Sequence, residues 1–395
     1  MRIRNSTFVS RLLGLGRHLL AGNRKTSSRV SHNLFACRGC RLLIPACWAL
    51  ACFFLAPLLA AGAAEETSPP TARWSKEKAW AWYKARPWLF GVNYGPTDEA
   101  TDDRELGWAE AIGVNSIRTF FSYLAWEHDP ERFMRDFEAF LAVADKHGIS
   151  VMPVLFNDCA GAAVIFIPNV KRTQRSPDEI AMREICADPV RWPRLRAYVR
   201  DVMDKHRADR RIVMWDLYNE PDNTLHLARC RGDDGRCLLE HIFTWAREAR
   251  PTQPLTAGVW KRYRRPDECG RVAFANSDVV TFHLYSNSRR LETVIRSLQG
   301  EGYPLVCTEW FARALGSSFE NDLPVFKRHN VGNYFFGLVH DGRGTFIYPW
   351  PHLDWPGKAE GKLHPTGWFH NIFHPDGTPY RQSEIEAIKR IVKGN

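Results

Sequence analysis

Acidic residues are absent from the first 64 positions of this 395-residue chain, although 44 occur beyond them. Nine of the 54 arginines and lysines lie in that stretch, so the rest of the chain is within one charge of neutral. The formal net charge of +10 is therefore a property of the N-terminus. A near-neutral body exerts no global attraction on a phosphate backbone, and no nucleic-acid partner is expected. Also missing are a Gly-x-Ser-x-Gly nucleophile turn, a Gly-x-x-x-x-Gly-Lys-Ser/Thr phosphate loop and a His-Glu-x-x-His zinc helix. There is no internal repeat and no low-complexity block. A composition of 45% hydrophobic and 25% charged residues excludes a disordered or collagenous chain. The length suffices for one large core or two modest domains.

What is present begins with a targeting pattern. The basic stretch leads into an apolar run over 46–59, small residues ending in Ala61-Gly62-Ala63, and a Pro-rich acidic segment, Glu65-Glu66-Thr67-Ser68-Pro69-Pro70. A positive region, an apolar region and an Ala-x-Ala-like end describe a secretory signal peptide. The apolar run is also long enough for a retained membrane anchor, but Pro45, Pro57 and the small-residue end favour cleavage. Export to the periplasm, cell surface or medium is the expectation, with a membrane tether if the segment is kept. Residues 1–64 form this region, 65–87 a linker and a Trp-rich first helix, and 88–395 one catalytic domain. Export makes disulfides permissible. Cys230 and Cys237 flank a short polar loop and are expected to pair, with Cys159–Cys186 as a second pairing, while Cys307 reads as a buried thiol. Cys37-Arg-Gly-Cys40 has no second pair and reads as incidental.

The body alternates strand-like and helix-like segments. Short apolar runs occur at 89–94, 116–120, 150–156, 212–218, 255–259, 279–284, 304–308 and 331–339. Helix-period stretches lie between most of them, at 131–147, 192–206, 238–250 and 291–298, and a closing one at 383–392. His147-Gly148 and Gln299-Gly300 read as helix ends. Continuous apolar strands are buried on both faces, which indicates a parallel sheet covered by helices. Eight such units predict a (β/α)8 TIM barrel. An open doubly wound sheet is disfavoured because no Gly-rich phosphate turn follows the first strand. The longest gap predicts an extended loop over 157–190 on the active-site face, and such a loop would favour exo cleavage by walling one end of the site.

Polar residues gather where these strands end. The fourth run closes in Asn219-Glu220-Pro221 and the seventh in Thr308-Glu309-Trp310. Carboxyls on the fourth and seventh strands of a small barrel converge near its axis. A pair about 5–5.5 Å apart is the arrangement for retaining glycoside hydrolysis. One group must be protonated and the other ionised, and their mutual repulsion helps to separate the two.

The Asn219-Glu220-Pro221 motif with Glu309 resembles the family-5-type retaining (β/α)8 glycoside hydrolases, the cellulases and mannanases, over roughly residues 88–385. The resemblance implies Glu220 as general acid/base, Glu309 as nucleophile and Asn219 as a ligand of the sugar 2-hydroxyl. It further implies Arg118 beside the nucleophile, where its charge would keep Glu309 ionised, His283 at the base of the site, and Tyr285 hydrogen-bonded to the nucleophile. Two positions depart from the pattern. Asn157-Asp158 stands where many members have a His, and either residue is able to supply a sugar hydrogen bond. Phe336 stands where a Trp platform is usual, so that either Phe336 or Trp350 takes that place.

Aromatic rings stack on the C–H faces of pyranoses, and Trp310, Trp350 and Trp355 are the platform candidates among 15 Trp residues. Trp80, Trp82, Trp245 and Trp260 read as packing. The late histidines His340, His352, His364, His370 and His374 are irregularly spaced and read as loop residues rather than metal ligands. No cofactor is required. The expected function is retaining hydrolysis of a β-linked polysaccharide or oligosaccharide of the glucan or mannan type. A membrane-tethered transglycosylase and a catalytically inactive carbohydrate-binding barrel are the alternatives, the latter weakened by retention of the whole polar set.

Overall fold

A computed structural model describes residues 72–157, 165–166, 185–223, 229–260, 263, 266–340, 349–350 and 352–394. The targeting region, Cys37, Cys40, Asp158 and Cys159 lie outside the described residues, as does most of the predicted loop 157–190. Among the described residues, no helix is long and apolar enough to cross a membrane.

Among the described residues, nine strands form one all-parallel sheet. They are β1 Phe90–Asn93, β2 Ser116–Phe121, β3 Ser150–Asn157, β4 Ile165–Phe166, β5 Trp215–Asn219, β6 Leu255–Gly258, β7 Val280–His283, β8 Leu305–Trp310 and β9 Gly332–Phe336. The pairing order is β6-β5-β3-β2-β1-β9-β8-β7, with the two-residue β4 joined to the end of β2. A parallel bridge between Val259 and Phe282 closes the ring, carried by Val259 N–H on the Thr281 carbonyl (3.3 Å) and His283 N–H on the Val259 carbonyl (2.9 Å). The protein is a (β/α)8 TIM barrel of eight ring strands. Because β4 is a side piece, the fourth ring strand is β5 and the seventh is β8.

The helices are α1 Lys76–Lys84, α2 Glu99–Ala111, α3 Tyr123–His128, α4 Pro130–Lys146, α5 Trp192–His206, α6 Leu238–Glu248, α7 Glu268–Asn276, α8 Ser288–Leu298, α9 Phe319–Arg328 and α10 Gln382–Lys393. Their starts are set by short polar caps. Asp98, Ser122, Asp129, Asn287 and Ser318 each accept a backbone N–H of the first turn. Pro130 occupies the first turn of α4, where no N–H partner is needed. Gly148 ends α4 with φ of 65°, as its neighbours imply. Gln299 caps the end of α8 as expected, but the chain then tightens into a 3-10 turn over Gln299–Glu301, so that Gly302 rather than Gly300 takes the positive φ of 78°.

Two apolar shells hold the barrel. Outside it, Leu155, Trp215, Phe282 and Trp310 pack against the helices within one continuous core. Inside, at the N-terminal end of the strands, Leu89, Met152, Met214, Val279, Val306 and Tyr334 fill the floor. Tyr83 of α1 seals it, accepting Gly332 N–H (2.6 Å) and donating to the Asn330 carbonyl (3.0 Å). One polar pair remains in this floor, Ser116 Oγ and the Tyr334 hydroxyl at 2.7 Å.

The expected Cys230–Cys237 disulfide does not form, and the Cys237 thiol is free. Cys237 is the N-cap of α6, its N–H held by Glu240 Oε2 (2.8 Å), and it is fully buried. Its side chain faces the helix rather than the loop, and burial raises the thiol pKa to about 11. Cys307 is likewise a free, buried thiol, and Cys186 is buried.

Candidate active site

Arg118 is the centre of the mouth and is fully buried. From β2 its guanidinium donates to Asp216 Oδ2 (Nε, 2.9 Å), Asn93 Oδ1 (Nη1, 3.0 Å), Glu309 Oε1 (Nη1, 2.7 Å) and Asn219 Oδ1 (Nη2, 2.7 Å). Burial alone would lower its pKa, but the charges of Asp216 and Glu309 outweigh that and raise it, so the cation is fixed. Asn219 Nδ2 in turn donates to Asn157 Oδ1 (2.9 Å). Asn93 Nδ2 donates to the Thr308 carbonyl (2.9 Å), tying the first ring strand to β8.

Local irregularity in the strands makes this convergence possible. Residues three apart on a regular strand face opposite sides, yet Asp216 and Asn219 both reach Arg118. β5 carries one extra residue against β6 between these two positions. β8 carries one extra residue against β7, which sets His283 opposite Glu309. Such bulges re-aim side chains at the end of a strand.

Glu220 leaves β5 with φ of 49°, a left-handed conformation rare for a residue with a side chain and costing about 1–3 kcal/mol. Glu220 N–H on the Gly258 carbonyl (3.0 Å) and Asn223 N–H on the Glu220 carbonyl (2.9 Å) hold it there. Its carboxyl accepts His283 Nδ1–H at Oε1 (2.8 Å) and the Asn223 amide at Oε2. Glu309 accepts Arg118 at Oε1 and the Tyr285 hydroxyl at Oε2 (2.8 Å). The oxygens of Glu220 and Glu309 approach within 4.8 Å, with His283 Nδ1 inside the same radius. Glu220 and Glu309 are 6% exposed each, which leaves them reachable from the mouth alone.

Burial lowers the pKa of His283 to about 4, the nearby Glu309 charge opposing and the Arg118 charge assisting, so the ring is neutral at pH 7 and Nδ1 is a donor. Glu220, His283 and Glu309 have the spacing of a cation site. Arg118 already sets a positive charge 2.7 Å from Glu309. A second such group, Glu138, His206 and Asp209, lies away from the mouth and is bridged by the Arg211 guanidinium, 2.8 Å from Glu138 and 2.6 Å from Asp209.

The structure thus gathers seven predicted residues at one mouth: Arg118, Asn157, Asn219, Tyr285 and Glu309 in one hydrogen-bonded set, and the Glu220–His283 pair beside it, His283 Nδ1 lying 3.6 Å from Glu309 Oε2. Trp350 stands beside it, its ring 5.1 Å from Tyr285 at 86°. Phe336 also contacts Tyr285, at 6.4 Å. Trp310 is corrected. It follows the inward-facing Glu309, so strand alternation turns it outward against Phe319 and Phe326, where it is 1% exposed and donates to Asn333 Oδ1 (3.0 Å). Trp355 bonds within its own loop, to the Lys362 carbonyl (2.9 Å). Trp310→Ala is expected to cost about 3–5 kcal/mol in urea unfolding with KM unchanged for the folded enzyme; a sugar platform would give the reverse.

Sequence reasoning missed four residues. Asn93 and Asp216 have no motif, and only the closed ring reveals their bonds to Arg118. Trp260, read as packing, lies 5.7 Å from Tyr285 and 5.9 Å from Trp350. Its N–H is held by Asp222 (2.8 Å), two residues after Glu220. His370, read as a loop residue, is buried 5.5 Å from Tyr285. Burial lowers its pKa to about 3.

These two histidines give a pH signature. Each folded-state pKa is below the ordinary imidazole value of 6.5. The unfolded chain therefore binds protons that the native state refuses, and stability falls with pH below about 6.5 by about 1.4 kcal/mol per unit for each ring. The loss from His283 ends near pH 4 and that from His370 near pH 3. Urea midpoints from pH 7.5 to 4 check this, and His370→Asn is expected to make the slope shallower.

No family model and no curated protein sequence matches the chain. Solved structures do match. An exo-beta-1,4-mannosidase from Opitutaceae bacterium strain TAV5 aligns at 16% identity and a TM-score of 0.52, over 78% of this chain and 60% of its own. A GH5_18 protein from Streptomyces cattleya, solved in complex with GlcNAc, aligns at 12% identity and a TM-score of 0.50, over 78% and 82%. The likeness is one of fold. This chain has the (β/α)8 architecture of these proteins, and it spans less than two thirds of the length of the mannosidase.

Proposed function

We propose that the protein is a retaining β-glycosidase acting on a β-linked polysaccharide or oligosaccharide of the glucan or mannan type. The observation that carries this reading is the buried Glu220–Glu309 pair, with oxygens within 4.8 Å and opposite kinds of partner. Close carboxyls leave no room for a water between them and the sugar, which favours double displacement over inversion. Glu309, oriented at both oxygens by Arg118 and Tyr285, attacks the anomeric carbon. The glycosidic C–O bond breaks as Glu220 gives its proton to the leaving oxygen. Water, deprotonated by Glu220, then attacks the same carbon and frees Glu309, so configuration is retained. Neutral His283 holds the Glu220 carboxyl throughout by its Nδ1–H. Asn219, fixed between Arg118 and Asn157, directs its amide toward the sugar 2-hydroxyl, and Trp350 supplies a ring face.

The solved mannosidase with this fold supports the substrate class by analogy alone. The N-terminal pattern adds the proposal that the enzyme acts after export, on envelope or extracellular glycans. The test is hydrolysis by residues 65–395 of a panel of β-linked glucans, mannans and xylans, beside Glu220→Gln and Glu309→Gln. Activity on one polymer, lost in both variants, is the expected result. Activity that survives in either variant overturns the mechanism.

A further inference from the structure

The last segment of the chain does more than close the fold. Trp368, Phe369, His370 and Asn371 lie outside the barrel strands, yet they are strapped to the exits of two of them. On one side is Arg313, four residues after Glu309 and 5% exposed. It donates to the carbonyls of Trp368 (Nη1, 2.8 Å), His370 (Nη1, 3.0 Å) and Asn371 (Nη2, 3.1 Å). Its remaining donors pair with Glu384 of α10, at 2.8 and 2.5 Å. The Arg313 N–H adds a bond to the Phe369 carbonyl (3.0 Å). On the other side the strap lies on Gly337, the first residue after β9. A Cβ there would sit 2.6 Å from His370 Cβ and 2.8 Å from Asn371 N, so only glycine permits this approach.

This double attachment delivers His370 beneath the mouth. Its Nδ1 lies 2.6 Å from the Phe311 carbonyl, which only accepts, so Nδ1 carries the proton. Phe311 is held at φ of 81°, a conformation foreign to a bulky aromatic residue, two positions after Glu309. The other side of the imidazole meets Tyr285 (5.5 Å between ring centres) and Phe336 (5.2 Å). Tyr285 is the residue that donates to Glu309 Oε2.

We propose that His370 is a positioning residue for the reaction: strapped in place by Arg313 and Gly337, it fixes the exit of β8 through the Phe311 carbonyl and backs the Tyr285 ring that aims Glu309. It touches neither substrate nor reacting atoms. The inference rests on the reading of Glu309 given under Proposed function. It also makes the C-terminal tail a wall of the active site, so that Glu384, remote from the mouth, acts on turnover through Arg313.

The test compares His370→Ala with His370→Asn, whose amide nitrogen takes the place of Nδ1–H. Two readouts are taken on the same proteins. Crystal structures measure the Tyr285 Oη–Glu309 Oε2 distance, 2.8 Å in the native protein. Kinetics on 2,4-dinitrophenyl β-glucoside and β-mannoside separate kcat from KM. Expected in His370→Ala are loss of that hydrogen bond, a kcat lower by about 10- to 100-fold and a KM within about threefold of the native value, with both readouts restored in His370→Asn. A Tyr285–Glu309 bond unchanged in His370→Ala overturns the inference, as does a kcat loss that His370→Asn fails to rescue. Turnover that survives in a Glu309→Gln control instead strikes the functional reading, while the crystal structures still decide whether His370 positions Tyr285.

Discussion

Replacing Glu309 by Ala is expected to abolish turnover, by about 10⁴-fold or more, in a protein that folds as well as the native one. The chemistry demands the first part. Without the carboxylate no glycosyl-enzyme forms, and Glu220 alone protonates a leaving group that nothing displaces. The surroundings permit the second. Arg118 keeps Asp216 at 2.8 Å as a counter-charge, so the buried guanidinium is not stranded. The decisive sign is rescue. Azide in the space vacated by the side chain attacks the anomeric carbon directly, in a single displacement, and the glycosyl azide emerges with inverted configuration. Proton NMR of the product with an activated β-glycoside reads that inversion. A retained product, or turnover in the variant without azide, would mean that a different residue is the nucleophile.

Arg118→Met should damage both fold and function. The side chain is fully buried, and it is the one group in the mouth bonded at once to Asp216, Asn93, Glu309 and Asn219. Methionine fills the volume but leaves Asp216 and Glu309 as buried carboxylates without a counter-charge. Breaking a buried pair by removing one partner costs about 3–5 kcal/mol, to be read as a lower urea midpoint at pH 7. Arg118→Lys separates the two roles. An ammonium retains the charge, but it lacks the planar fork that reaches four acceptors. The lysine variant is expected to recover most of the stability and still lose about 100-fold in kcat, because Asn219 and Glu309 are no longer held in one frame. Equal recovery of stability and activity would reduce Arg118 to a counter-ion.

Much of the barrel was legible in the sequence, for a simple reason. Strands buried on both faces must be apolar throughout, so all eight ring strands declared themselves as short continuous runs, and the boundaries moved by only a few residues. The carboxyls were legible because a polar residue at the end of such a run has one place to go, the mouth formed by the C-terminal ends of the strands.

The direction in which each residue points was decided elsewhere. The sequence suggested a sugar platform for Trp310, packing for Trp260 and a loop position for His370, because it is silent on the side to which each points. Strand alternation turned Trp310 to the helices. The Asp222 bond drew Trp260 to the rim, and the Arg313 strap carried His370 beneath Tyr285. Cys230 and Cys237 are near in sequence and form no disulfide because capping α6 claims the second of them. The deepest contacts are the least local. Arg118 meets Asp216 across 98 residues and Glu309 across 191. Only closure of the ring brings those segments together, and the extra residues in β5 and β8 then aim their side chains at one guanidinium. The sequence by itself determined where the strands lie and which polar side chains sit at their ends. The tertiary structure decided which of those groups share a hydrogen bond, because a burial pattern carries no information about partners distant in the chain.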